Sequence, residues 1–358
     1  MSVRVRPALT PILDRHAMPA LDGAARLAGN ELPWRPSPAV VGAAVDEMGA
    51  LNEYPSVAAD VLVIKLARFY GVDPIQLAVG AGSAHVLLQT LQAVCDPGDQ
   101  VVFASPSFEA YPDLCRIAHA VPVTVPLRDH RHDLAAMFDA ITSRTRVLII
   151  CNPDNPTGSV LGADELESFL DRVPDRVLVV LDEAYFEFVV DPSAPDGMAL
   201  GVDRRTGLGD RANVVVVRTF SKARGLGAMR VGYGLAAPDV AAGIRKCGVP
   251  YSVPRHAEAA AIVALDEGKD LAANRAAVIH ERDRMRAQLL ALDYAVPESH
   301  TNFLWLDVGE QAQRLRDHCA SHKILVRAYP GHGVRVTIGT ADNNRAFIAA
   351  ARSFTNRR

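Results

Sequence analysis

Cysteine is sparse, long apolar runs are missing, and neither sign of charge dominates this chain of 358 residues. The five cysteines (Cys95, Cys115, Cys151, Cys247 and Cys319) are odd in number, scattered, and never spaced Cys-x-x-Cys. That pattern indicates neither a disulfide framework nor a zinc cluster, so no metal is expected and a reducing cytoplasm is the expected home. The longest aliphatic runs, such as Val214 to Val217, are too short for a bilayer, and Met1 to Pro11 lacks the apolar stretch of a signal peptide. Thirty-eight bases against 41 acids leave a net charge of -3 with no long basic run. Neither nucleic acid nor a membrane surface is therefore the expected partner, and a small molecule is.

What is present is a rhythm. From about Gln76 to Ala236, short aliphatic runs alternate with stretches of helical period: Leu77 to Val79, Val101 to Phe103, Val121 to Val125, Val147 to Ile150, Val177 to Leu181, Val214 to Val217 and Val231 to Leu235. This βαβ alternation predicts an α/β fold with a mainly parallel, seven-stranded sheet covered on both faces. Between the first two runs, Ala84, Leu87, Leu88, Leu91 and Val94 share one helical face, and the Asp96 to Asp99 cluster ends that helix. Later, Leu271, Val278, Met285 and Leu292 recur every seven residues and read as one long amphipathic helix. Asn302 to Val308 and Val334 to Gly339 then look like strands of a smaller α+β domain. The expected organisation is an N-terminal arm over 1–45, a large domain over 46–245 and a small C-terminal domain over 246–358, with Pro and Gly interrupting the pattern at the second boundary. Asp191 to Asp210 reads as a surface loop, Arg282 to Arg286 as a solvated helix face, and Trp34 and Trp305 as packing residues.

Four strand ends carry side chains with chemistry. Ser221-Lys222-Ala223-Arg224 follows the Val214 to Val217 run, with Arg230 shortly after; a lysine at the carboxyl end of a buried strand sits where open α/β sheets bind ligands. Asp182-Glu183-Ala184-Tyr185 closes the Val177 to Leu181 run and brings an acid and a phenol. Asn152 to Gly158, containing Asn155, closes the run before it; taken alone it is a tight turn. Gly80-Ala81-Gly82-Ser83-Ala84 joins a strand to a helix, where free amides bind phosphate. A lysine for an aldehyde, an acid for a pyridine nitrogen, donors for a phenolic oxygen and an anion cradle are together what pyridoxal phosphate needs. A dinucleotide cofactor is the competing reading of Gly80 and Gly82, but His85 stands at the third position of that fingerprint.

These motifs resemble the fold-type I, class I/II aminotransferases, and among them the histidinol-phosphate and actinobacterial aromatic amino acid branch. The resemblance runs from Leu27-Ala28-Gly29-Asn30-Glu31 and Asn52-Glu53-Tyr54-Pro55, through Ser107-Phe108-Glu109-Ala110-Tyr111-Pro112 and the strand ends above, to Thr301-Asn302-Phe303 and Arg335-Val336-Thr337-Ile338-Gly339. It implies that Lys222 forms the Schiff base with pyridoxal 5'-phosphate, that Asp182 pairs with the pyridine nitrogen, and that Asn155 and Tyr185 bond the phenolic oxygen. Phe108 would stack on the ring. Gly82, Ser83, Ala84, Ser221, Arg230 and, from a neighbouring subunit of a homodimer, Tyr54 would hold the phosphate. Arg335 would take the substrate α-carboxylate with Asn30 and Asn302, and Arg327 the distal end of the substrate.

Several positions depart from the family pattern: Glu53, His85, Asp154 and Arg224, expected to place new charges near the substrate mouth. The leading expectation is transamination between an amino acid, aromatic or like histidinol phosphate, and a 2-oxo acid. The alternatives are elimination from a cysteine conjugate or decarboxylation with the same cofactor, and a silent cofactor-binding regulatory module, since fold and cofactor residues do not separate these outcomes.

Overall fold

The computed structural model describes residues 5–12, 23–200 and 211–355; the remainder of the predicted 191–210 loop, from 201 on, lies outside them. Strand β1 (Ala25–Arg26) comes first, followed by the seven strands of the large sheet. These are β2 (Leu77–Gly80), β3 (Gln100–Ser105), β4 (Val121–Pro126), β5 (Thr145–Cys151), β6 (Leu178–Asp182), β7 (Val214–Thr219) and β8 (Gly232–Leu235). Each coincides with one of the aliphatic runs. Their order is β2-β8-β7-β6-β5-β3-β4, parallel from β7 to β4, with β8 antiparallel to both its neighbours.

The central runs are apolar without alternation because those strands bury both faces, whereas β4, at the sheet's edge, buries only Val125. Val102, Leu148, Ile150, Val179, Leu181, Val214 and Val216 enter one apolar cluster, while Val101, Phe103, Val147, Ile149, Val180, Val215 and Val217 enter the cluster on the other face. Each such side chain contributes roughly 1.5–3 kcal/mol when fully buried. The helix Ser83–Val94 buries Val86, Leu87, Gln89, Thr90 and Leu91, a face rotated from the predicted stripe. It is wedged between the sheet and the helix Pro238–Lys246, so two sides are covered; Thr90 is accommodated by donating its hydroxyl to the Val86 carbonyl at 2.7 Å.

A second, smaller sheet holds β9 (Phe303–Asp307), with β10 (Ile324–Leu325), β11 (Arg327–Tyr329) and β12 (Gly333–Thr337) following; the antiparallel order is β11-β12-β9. Strand β1 pairs with β10 in parallel, so part of the expected arm is woven into this body, where Leu27 is 1% exposed. The long helix Gly268–Leu290 packs here through Val278, Met285 and Leu289. Its Arg282 corrects the solvated-face expectation: it is buried, and its guanidinium donates to the Thr301 carbonyl at 3.2 Å and to Asp283 at 3.1 Å. Trp305 is buried as expected, but Trp34 is substantially exposed. The helix Arg255–Asp266 packs against the helices Pro38–Asp46 and Asp60–Tyr70, and its Ala257, Ala260, Ala261 and Leu265 belong to the large sheet's core. Among the described residues, no helix is long and apolar enough to cross a membrane.

Candidate active site

Parallel strands deliver their carboxyl ends to one edge, so β5, β6 and β7 present Asn152, Asp182 and the Thr219 to Lys222 turn side by side. Strand β8 runs the other way and therefore starts at that edge, which brings Arg230 in from the opposite chain direction. Ser83, Ala84, Phe108, Asn155, Asp182, Tyr185, Ser221, Lys222 and Arg230 all line one cavity of about 130 Å³. A larger cleft of about 390 Å³ opens beside Trp305 and His332, but neither the lysine nor the acid lines it.

At one end of the cavity is an anion cradle. Ser83 and Ala84 are the first two residues of an α-helix, so their amides lack intrahelical acceptors and point outward. Arg230 donates to the Ser221 hydroxyl at 3.2 Å and to the Gly227 carbonyl at 2.9 Å. Gly82 has φ +84°, and a Cβ there would fall 2.5 Å from the Arg230 guanidinium; only glycine permits this approach.

At the other end the charges are buried. Asp182 accepts from the Tyr111 hydroxyl at 2.7 Å and from the Ala184 amide at 3.2 Å. Burial raises its pKa, while the Tyr111 and Ala184 hydrogen bonds oppose that rise. Lys222 Nζ donates to the carbonyls of Gly29 and Asn30 at 3.1 and 3.2 Å. Burial, reinforced by the Arg335 charge, pulls its pKa down to about 7, so the amine is substantially neutral and nucleophilic near physiological pH. Tyr185 accepts from the Asn30 side-chain amide at 2.8 Å, and burial pushes its phenol up.

Arg335 of the small sheet reaches the cavity lining at Asn155. It is 5% exposed and donates to Asn155 Oδ1 at 2.5 Å, to the Tyr329 hydroxyl at 3.1 Å and to the Ala28 carbonyl at 2.8 Å. Its Nε is buried without a hydrogen-bond partner among the described residues, as is Asn302 Oδ1. Asn302 donates to the Asn30 carbonyl at 3.1 Å, and Asn30 Oδ1 accepts from Thr337 at 3.0 Å, so Asn30, Asn302 and Thr337 form one network. Phe108 meets Tyr111 edge-on, with ring centres 5.4 Å apart.

Two predicted residues stand apart. Tyr54 is 79% exposed and stacks on Tyr251, and Arg327 is paired with Glu109 at 3.4 Å near the surface. The expectation that the departing residues charge the substrate mouth is corrected at two positions. Asp154 is fully buried, accepting from Thr157 at 2.7 Å with His132 at 3.4 Å, because the turn it belongs to folds inward. Arg224 turns away to donate to the Ala264 carbonyl, its guanidinium lying over the Phe69 and Phe220 rings. Glu53 pairs with Arg255 at 3.1 Å, and His85 accepts from the Ala81 amide at 3.2 Å. Sequence reasoning gave no role to Tyr111 or Tyr329; Tyr111 lies within a quoted motif, whereas Tyr329 carries no signal of its own.

Residues 24–350 match the model of the family described as aminotransferase class I and II. The chain is 46% identical to an aromatic amino acid aminotransferase of Thermobifida fusca, over 93% of this chain and 91% of that protein. It is 44% identical to one of Rhodococcus erythropolis, covering 98% and 96%. The crystal structure of histidinol-phosphate aminotransferase from Sinorhizobium meliloti in complex with pyridoxal-5'-phosphate superposes with a TM-score of 0.85 at 29% identity, covering 93% of this chain and 91% of that one. Family match, relatives and sheet order agree: the chain belongs to the fold-type I aminotransferases of classes I and II.

Proposed function

We propose that the chain is a pyridoxal-phosphate transaminase that moves the amino group of an aromatic amino acid to a 2-oxo acid. The observation that carries this is the placement of Lys222, with an amine pKa near 7, and Asp182 in one cavity beside an anion cradle. The residues fit the coenzyme. Gly82, the Ser83 and Ala84 amides, Ser221 and Arg230 suit its phosphate, Asp182 its ring nitrogen, Asn155 and Tyr185 its phenolic oxygen, and Phe108 its ring face. When bound, the coenzyme supplies an electron sink for the charge left at the substrate α-carbon.

The chain's own residues do the rest. Arg335 holds the α-carboxylate, for which its unpartnered Nε is available, and Asn302 and Asn30 brace that end of the cavity. Lys222 Nζ takes the α-proton and returns it, with a pKa close to the working pH that suits both directions. Asp182 keeps a proton on the ring nitrogen by favouring its charged form. The aromatic preference is supported by the names of the relatives. Phenylalanine with 2-oxoglutarate is expected to yield phenylpyruvate and glutamate in equal amounts. Pyruvate and ammonia from a cysteine conjugate, with no glutamate from any donor, would reject transfer in favour of elimination. Of the residues that depart from the family pattern, Arg224 turns to the Ala264 carbonyl and Asp154 is fully buried, so neither puts an exposed charge at the cavity mouth.

We further propose that the working unit is a homodimer in which Tyr54 reaches the phosphate cradle of a second copy. The outer faces of the helices Pro38–Asp46 and Asp60–Tyr70 support this, leaving Val41, Val45, Val61 and Ile64 exposed beside Tyr54. Val61→Asp, at a site 60% exposed in one chain, is expected to give a folded monomer that retains coenzyme poorly. Sedimentation velocity with coenzyme absorbance reads both; a fully loaded, fully active monomer would overturn the proposal.

A further inference from the structure

We propose that Glu109 is a specificity-determining residue: by occupying Arg327 it keeps the distal end of the substrate site electrically neutral. This favours amino acids with uncharged aromatic side chains over those ending in phosphate or carboxylate. The inference rests on the proposed role of Arg335 as holder of the α-carboxylate.

In the small sheet Arg327 is the direct cross-strand partner of Arg335, and Arg335 in turn of Trp305. Directly opposed residues of an antiparallel pair project from the same face, so Arg327 extends the arginine-bearing face by one strand to the edge of the small sheet. Tyr329, two residues along from Arg327, shares that face and accepts from Arg335 at 3.1 Å. The two guanidinium groups thus flank one phenol, Arg335 buried and Arg327 about half exposed. Left alone, such a pair would attract a substrate with an anion at each end.

Glu109 alters that balance. It follows Phe108, a cavity-lining residue, in the segment between β3 and the helix Tyr111–Ile117, and its Oε2 lies 3.4 Å from Arg327 Nε. The burial-raised phenol of Tyr329, at about 12, has Arg335 and Arg327 pulling it down and Glu109 pushing it up, so all three charges act on this spot. An anionic tail that reaches Arg327 also approaches the Glu109 carboxylate and is repelled by it. An aromatic ring can lie against a guanidinium without displacing its carboxylate. Because the two side chains are 48% and 46% exposed, solvent screening limits the discrimination.

The test uses the holoenzyme and follows the coenzyme absorbance change with a single donor and no acceptor, so the distal carboxylate of 2-oxoglutarate does not intervene. The ratio of the single-turnover rate constant over Kd for glutamate, which carries a carboxylate at each end, to that for phenylalanine is expected to rise about tenfold in Glu109→Gln, or ~1.4 kcal/mol. Adding Arg327→Gln to that variant is expected to cancel the gain. A ratio that stays constant or falls overturns the proposal, a fall meaning that Glu109 orients Arg327 for anions. Failure of the underlying function is distinguishable, because the wild-type holoenzyme would then show no absorbance change with phenylalanine.

Discussion

Replacing Lys222 by methionine is expected to lower turnover by up to about 10⁴-fold while making the cofactor-free protein harder to unfold. The lysine is half-buried, and its two carbonyl acceptors do not offset its desolvation, which together with the Arg335 charge depresses its pKa from 10.5 to about 7. Between those values the unfolded chain binds more protons than the folded one, so this group's contribution to stability improves as pH rises from 7 to 10.5. Below about pH 7 the whole penalty is present; above 10.5 it is gone. Methionine has no proton to lose and fills similar space, so its stabilising effect should be several kcal/mol at most, largest at pH 6–7 and shrinking towards alkaline pH. Denaturant unfolding across this range, beside a steady-state assay, checks both halves. A gain that grows with pH, or turnover within tenfold of wild type, is inconsistent with the depressed amine as the acting base.

The opposed effects show what is legible in a sequence and what is not. The central strands could be read because β5, β6 and β7 each bury both faces and so print an unbroken aliphatic run. The short strands β1, β10 and β11 print nothing: two or three residues long, they take their partners from register, Ala25 finding Ile324 almost the whole chain away. The site motifs could be read because parallel strands end at one edge, so order along the chain already implies neighbourhood. Contacts that cross that order could not. Tyr111 reaches Asp182 and Asn30 reaches Tyr185 over large separations, with no periodicity to announce them. Side-chain direction was equally hidden. Arg282 and Arg224 look like solvent charges by composition, yet each turns inward to cap a carbonyl, of Thr301 and of Ala264.

Asp182→Asn should be the second severe substitution, and its stability should carry the opposite pH signature. Asparagine keeps the shape, but Tyr111 and the Ala184 amide donate to different carboxylate oxygens, so its single Oδ1 can accept from only one of them, and it brings no charge to the ring nitrogen. Breaking a buried charge pair by removing one partner costs about 3–5 kcal/mol, so kcat is expected to fall roughly 10²–10⁴-fold. Under the proposed function, coenzyme is expected to be retained through the Ser83 and Ala84 amides, Arg230 and Lys222. In the cofactor-free protein the carboxylate is a liability, because burial raises its pKa above 3.8 despite two hydrogen bonds and the Lys222 charge. Here the folded state holds the proton more tightly than the unfolded one, so stability is lost as pH rises from the unfolded towards the folded value. Asparagine removes that loss: its stabilising effect appears above this window and vanishes in acid, whereas that of Lys222→Met is fullest at low pH. Both effects in one protein mean that folding tolerates two charges the empty site does not need. A variant Asp182→Asn that kept kcat within tenfold would show that the ring nitrogen works without its carboxylate.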